Sequence, residues 1–458
     1  MVSSLADLKI SANGGDSSAR REIEAVLEML DDALEDAQLN GGALMIIAKL
    51  LSDAGWTVPN RLKQATLGLL ESGSQISDGG GADPQDLVAS LQELAEQLDN
   101  DEFQLFDQIG SMFEAFPPDA AAHFVAKIVE LGRGVLDRAV VGFALHPEAE
   151  VATAALEALS RISSRAVESV VVERMVRIRP WVAPERRSSL DAAIKALRSN
   201  AQAPVKTEVA PVEKAYLSVC DGAGAHQIVV VTKGGKLRSA LALLIKPEGV
   251  ADLAILDGMK KADVDQLIAT LKSTTPAAET DIASASRMLS LALADNLANG
   301  VPPPFRLVQF VERLGLGPVT PRTETPTEIV AEQLGEPADA AALVSAYREV
   351  ADSELTASWF EAGAAIEDLL AATKTRPQRV KKLLASYLPQ RKAFWARQCA
   401  ISALALRGTA GRPPAPYCSA LALIARDLAS DKPIDQIPLM REVAEGTAAA
   451  FAHNTRWR

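Results

Sequence analysis

The sequence predicts a mainly α-helical fold, an irregular array of antiparallel helix pairs interrupted by one small α+β module. Three observations carry this. Of the 458 residues 79 are alanine and only 4% are aromatic. Alanine has the best intrinsic helix propensity, so such a chain favours closely packed helices over a sandwich or barrel. Apolar residues recur at offsets of three and four along most of the chain, the stripe of an amphipathic helix. One stretch, 214–275, breaks that texture with Val/Ile/Leu runs separated by glycine turn signals. At about 100–200 residues per domain the length allows two to four domains, and 48% hydrophobic residues suit a folded chain.

Residues 1–20 are polar and Gly/Ser-rich and read as a flexible arm. A helix follows over 21–39, with Ile23, Val26, Leu27, Leu30 and Leu34 on one stripe and a run of Asp and Glu opposite. Gly41-Gly42 ends it, Ala43–Ala54 reads as a short buried helix, and 72–84 as a flexible loop. Leu87, Leu91, Leu94 and Leu98 mark another helix. Phe103, Phe106, Ile109, Phe113 and Phe116 mark the next, a stripe assigned to core packing rather than to a ligand face. Helices are then expected at 119–131, 134–145, 148–162, 166–178 and 184–199, making 21–200 an N-terminal helical domain.

Residues 201–213 form a Pro/Ala/Val linker. The module at 214–275 is expected to hold three or four antiparallel strands (215–221, 226–233, 236–246, 250–257) and a helix over 262–271. Gly222-Ala223-Gly224-Ala225 fits one hairpin loop, with both glycines at positive φ, and Gly234-Gly235 fits a two-residue turn. A C-terminal helical domain, 276–458, follows. Helices are expected near 281–298, 305–315, 338–351, 354–373, 376–387, 390–407, 416–430 and 435–452, with a surface loop at 316–337.

In the segment His146–Ile162, Pro147 is followed by β-branched Val151, by small Ala152, Ala154 and Ala155, and by Ala158-Leu159. This order resembles the second helix of a HEAT repeat, and Phe394–Leu404 is similar to it as well. The likeness covers roughly a third of the chain. It implies a HEAT-like stack of helix pairs, and the lack of a strict internal period makes that stack irregular.

The N-terminus, Met1 to Lys9, has no apolar core of a signal peptide, and no run approaches the ~18 apolar residues of a membrane span. The three cysteines (Cys220, Cys399, Cys418) are scattered, as suits a reducing cytoplasm. No C-x-x-C, H-E-x-x-H, phosphate-loop or G-x-S-x-G motif occurs, and no two of the four histidines share metal-ligand spacing, so no cofactor or metal is expected. Cys220 and His226 sit at facing ends of a predicted hairpin beside Asp221, a possible fragment of a metal or redox site, but a zinc site needs three or four ligands. His123 reads as a structural histidine.

Charge is the feature that bears on function. The net charge is -12, yet residues 1–120 hold 22 acidic and 6 basic residues while 371–412 hold 10 basic and no acidic ones. The candidate contact residues are Lys374, Arg376, Arg379, Lys381, Lys382, Arg391, Lys392 and Arg397, interleaved with Tyr387, Phe394 and Trp395. On 376–387 the stripe Val380, Leu383, Leu384 and Tyr387 turns Arg379, Lys381 and Lys382 outwards. The helix over 390–407 is apolar on most sides and should be buried, with Arg391 and Lys392 at its start. Cations there oppose the helix dipole at about 0.3–1 kcal/mol each, which a docked anion would offset. A weaker basic region, 161–198, has nine basic residues against four acidic.

Such a patch can bind nucleic-acid phosphates with base stacking. It can bind an acidic protein surface, or be a solvated face balanced by the chain's own acids. The net charge weighs against non-specific nucleic-acid binding. The expectation is therefore a non-enzymatic cytoplasmic scaffold or adaptor, contacting a protein partner with an acidic surface through 371–412 and no membrane. RNA or DNA binding through the same residues, and an enzyme without a recognisable motif, are the alternatives.

Overall fold

The computed structural model describes residues 17–35, 84–113, 116–131, 133–162, 166–202, 209–334, 340–408 and 416–454, with isolated positions between 5 and 62. Most of the expected arm at 1–20 and of the helix at Ala43–Ala54, residues 72–83 of the expected loop, residues 203–208 of the linker and Arg412 lie outside the described residues. The chain divides into two compact units, Met1–Lys206 and Thr207–Arg458. Among the described residues no helix is long and apolar enough to cross a membrane.

The first unit is helical: α1 (Ser17–Glu35), α2 (Pro84–Gln97), α3 (Glu102–Phe113), α4 (Pro118–Leu131), α5 (Val135–Val140), α6 (Ala149–Arg161), α7 (Ser169–Ile178) and α8 (Arg187–Arg198). On α1 the stripe works as expected at Leu30, Ile23, Leu27 and Leu34, which pack with Leu51, Trp56 and Leu62, but Val26 is 37% exposed. Asp101 starts α3 by accepting from the backbone N–H groups of Phe103 and Gln104, both at 2.9 Å, which satisfies two otherwise orphaned donors. Phe103, Ile109 and Phe113 are buried, and Phe143 packs on Phe106 and Phe113 at ring separations of 4.9 and 5.3 Å. The stripe is core, as its spacing implies. The helix expected at 134–145 is instead α5 continued by a 3₁₀ segment over Val141–Leu145. α6 buries Val151, Ala152, Ala155, Leu156, Ala158 and Leu159 and packs on both α4 and α8. Its alanines permit that close approach on two sides. Glu102 joins α3 to α5 and α7: its carboxylate lies 2.7 Å from Arg174, stacked on Phe103, and 3.5 Å from Arg138.

The second unit opens with β1 (Val212–Ser218), β2 (His226–Gly234), β3 (Leu237–Lys246), β4 (Gly249–Met259), α9 (Lys261–Thr274) and β5 (Ala277–Thr280). The sheet has five strands in the order β4-β3-β2-β1-β5, with every pair antiparallel. The expected module thus ended too early. β5 is four residues long, too short for an alternating pattern, and only its pairing with β1 defines it. The β2–β3 turn is Gly235-Lys236, one residue later than expected, because Gly234 pairs with Leu237; Gly235 has φ 63°. Tyr216, Val229 and Val231 cluster with Val264, Ile268 and Leu271 of α9. The intervening Leu217, Ile228 and Val230 point to the opposite face and are buried too. Burial on both faces explains why these strands read as continuous apolar runs.

The helices that follow are α10 (Ile282–Asn299), α11 (Leu307–Arg313), α12 (Pro326–Ile329), α13 (Ala331–Leu334), α14 (Ala340–Glu349), α15 (Ala364–Leu370), α16 (Arg376–Lys382), α17 (Lys392–Leu406), α18 (Pro416–Leu428) and α19 (Pro438–Asn454). Asp281 caps α10 through the N–H of Ser284 at 2.7 Å, and Gly300 ends it in the left-handed region at φ 66°. Asn296 of α10 pairs with both the N–H and the carbonyl of Val250, so helix and edge strand are stitched together; a Cβ at Gly249 would lie 2.3 Å from Asn296. The expected surface loop at 316–337 is packed over its described part, 316–334, rather than loose. Val319, Ile329 and Val330 are buried, and buried Glu324 accepts from Arg287 at 2.6 Å. Its Pro/Thr/Glu composition serves a capping box between Thr325 and Glu328.

Candidate functional site

Two further departures from the expected helices build a site. The helix expected at 354–373 is a 3₁₀ turn (Glu354–Thr356), an extended stretch and then the short α15. Tertiary bonds hold the extended stretch open. The indole N–H of Trp359 donates to the Cys220 carbonyl at 2.8 Å, and the N–H of Glu361 donates to Thr447 Oγ1 at 2.8 Å. Gly363, at φ 110°, precedes α15. The helix expected at 376–387 stops at Lys382 and continues as a π turn over Leu383–Tyr387 and a 3₁₀ turn over Leu388–Arg391. This places Tyr387 and Arg391 beside Glu361.

Glu361 is the hub. It is 8% exposed, and its Oε1 accepts from Arg391 Nε and Trp395 Nε1, both at 2.9 Å. Its Oε2 receives a longer contact, 3.4 Å, from the Tyr387 hydroxyl. Burial and the neighbouring Glu361 charge push the Tyr387 phenol upwards, so it donates rather than ionises. Arg391 also lies 3.9 Å over the Phe394 ring, and Trp395 packs on Trp359 with ring centroids 5.6 Å apart. A buried carboxylate is tolerable only when such donors replace its water.

Glu361 opens into a cleft of about 490 Å³ lined by Ile366, Glu367, Asp368, Ala371, Arg379 and Phe451 among others. The Arg379 guanidinium lies 4.8 Å over the Phe451 ring, and its buried Nε–H has no acceptor. α15, α16 and α19 supply most of the walls.

The eight cations singled out from sequence separate into two groups. Arg376 pairs with Glu445 at 2.6 Å, and Lys382 donates to the Leu369 carbonyl at 2.6 Å. Lys392 donates to the carbonyls of Ser430 and Lys432 at 2.7 and 3.1 Å, and Arg397 pairs with Asp295. Arg391 is held by Glu361 as above. Lys374 and Lys381 are exposed on and beside α16, and Arg379 lines the cleft. The anion at the start of α17 is therefore the chain's own Glu361. α17 itself is buried at ten positions, including Trp395, Cys399, Ile401 and Leu404, as its all-round apolar sequence implies. In the weaker basic region of the first unit, three cations are likewise occupied: Arg179 forms a two-point pair with Asp191 at 2.6 and 2.8 Å, Arg187 donates to the Val182 and Pro180 carbonyls, and Arg174 serves Glu102.

Cys220 and His226 do meet, with Sγ 3.8 Å from Nδ1, both buried beside a small cavity of about 70 Å³. Burial pushes the thiol up to about 12 and the imidazole down to about 4, so both are neutral at pH 7 and the pair is not a thiolate nucleophile. Asp221 is engaged in the loop, accepting from the N–H groups of Ala223 and Ala225 at 2.9 Å. Gly224 has the expected positive φ, 87°, but Gly222 is needed for another reason: a Cβ there would lie 1.9 Å from the Ser358 carbonyl oxygen. Among the described residues no group of three His, Cys, Asp or Glu side chains is placed to hold a metal ion.

Fold and site together define a class: a mainly helical protein of two compact units, the second combining an antiparallel five-stranded sheet with a helical part that carries an open, mixed-charge cleft. Residues 117–201 match the model of the Y4lR second domain, and residues 324–452, which contain the whole cleft lining, match that of the Y4lR C-terminal helical domain. The chain is similar to the uncharacterized protein y4lR of Sinorhizobium fredii, 24% identical over 366 residues, covering 76% of this chain and 69% of that relative. No solved structure matches it.

Proposed function

We propose that this protein is a non-enzymatic cytoplasmic adaptor, a HEAT-like stack of helices in its helical parts, that docks an acidic segment of a partner protein along α16. The observation carrying this reading is the division of the basic run. Arg376, Lys382, Arg391, Lys392 and Arg397 are held by the unit's own carboxylates and carbonyls, which leaves Lys374 and Lys381 turned to solvent beside Arg379. Two exposed lysines steer an acidic partner and fix its register more than they add affinity. The packing of α6 between α4 and α8 through small residues supports the stacked-helix reading. Three unpaired, buried cysteines suit a reducing compartment.

The test is quantitative affinity capture from the native host with the wild-type chain and the Lys374→Glu/Lys381→Glu variant. Loss of a wild-type partner rich in Asp and Glu supports the reading. Equal recovery by both chains overturns it. Binding of a labelled oligonucleotide that falls steeply with salt would transfer the same lysines to nucleic acid instead.

A further inference from the structure

We propose that the cleft walled by α15, α16 and α19 is a binding site for a free cationic α-amino acid of the lysine, ornithine or arginine class. This goes beyond the adaptor reading and does not depend on it, since the docking lysines lie outside the cleft lining.

Three features of the cleft select that ligand. The first is a cation in the lining: Arg379 borders the cleft with its guanidinium braced on the Phe451 ring. A carboxylate supplies a guanidinium with its charge-assisted, two-point partner. The second is a surplus of carboxylate. Glu361, Glu367 and Asp368 share the lining with Arg379, so a ligand bearing only an anion would be repelled. Glu361 is fixed by Arg391 and Trp395 through Oε1, and Oε2, with one long contact, keeps capacity to accept from an ammonium or guanidinium. The third is apolar lining, from Ile366, Ala371 and Ala450, against which a three- or four-carbon stem packs. The volume, about 490 Å³, falls within the range of small-ligand pockets. A zwitterion with one extra cation satisfies all three: its carboxylate on Arg379, its cations on the carboxylates, its methylenes on the wall.

Titration calorimetry on the full chain tests this with L-lysine, L-ornithine and L-arginine. The comparison ligands are cadaverine, which lacks the carboxylate, L-norleucine, which lacks the side-chain cation, and Nα-acetyl-lysine amide, which mimics a residue in a peptide. At least one cationic amino acid is expected to bind about tenfold or more tighter than each comparison ligand. Arg379→Gln and Asp368→Asn are each expected to weaken it, with the thermal unfolding midpoint confirming that the variants fold. Asp368 is exposed, so that variant serves if Arg379→Gln does not fold. No binding by any of the three at millimolar concentration overturns the proposal. So does equal binding of cadaverine or the acetylated amide, which would mean that the cleft reads a bare cation or a lysine side chain of a polypeptide.

Discussion

Glu102 in the first unit and Glu361 in the second are both enclosed carboxylates that join three segments of chain, yet they are neutralised differently. Glu102 meets two guanidiniums, Arg174 and Arg138, and Arg138 reaches on to Glu168 at 2.7 Å, so charge is matched by charge within the helix packing. Glu361 has one guanidinium and two neutral donors, the Trp395 indole and the Tyr387 hydroxyl, and it lines a cleft. A carboxylate surrounded by cations is a cross-link. One held by neutral donors keeps more of its field, and a cleft beside it is where that field can act on something else.

The largest effect should come from emptying the second hub. Glu361→Ala strands Arg391 and the Trp395 N–H and is expected to cost about 3–5 kcal/mol, read as a fall in the unfolding midpoint. A loss below about 1 kcal/mol would make Glu361 a passive wall and erase its likeness to Glu102.

A second burial in the same unit gives a pH signature. His226, shielded from water beside Cys220, is held at about 4 against 6.5 when unfolded, with Arg397 opposing its charge and Asp221 and the Gly224 carbonyl favouring it. Between those values the unfolded chain binds more protons, so stability is full above pH 6.5 and falls as pH drops towards 4, by roughly 3 kcal/mol. His226→Gln should flatten that limb of the stability–pH curve. An unchanged limb would show that another group sets it.

Gly222→Ala probes whether the β1–β2 loop and the segment leading to Glu361 move as one piece. The added Cβ meets a backbone carbonyl at 1.9 Å, so something must shift, and overpacking of this kind costs about 1–3 kcal/mol. If the variant also weakens ligand binding in the cleft, loop and hub are mechanically joined; a neutral change in stability would mean that they are not. The smallest effect is expected at Arg376→Ala. Its pair with Glu445 is exposed on both sides, so stability should change by no more than about 0.5 kcal/mol. A larger loss would show that α16 is clamped to α19 by charge rather than by packing.

Much of this molecule was legible before folding. The buried α17, the phenylalanine core of α3, the strands β1–β4 and the extent of α10 all follow from local periodicity and turn chemistry. Glu361 was not. It lies in a stretch with ordinary helical composition, and its role comes from Arg391, Trp395, Tyr387 and Thr447, residues 26 to 86 positions away. One signal did point near it: two cations at the start of α17 called for an anion, though nothing in the sequence showed that the chain would supply its own.

The amino-acid sequence by itself determined that this is a mainly helical chain with one compact sheet and a concentrated basic run, because alanine content, stripe spacing and charge order are local properties. Only the tertiary structure decided that most of that run is spent on internal partners, that 316–334 is packed rather than loose, and that a carboxylate hub faces an open cleft. The reason is physical: helix and strand are written in neighbours a few residues apart, whereas a buried charge is set by which distant donors happen to replace its water.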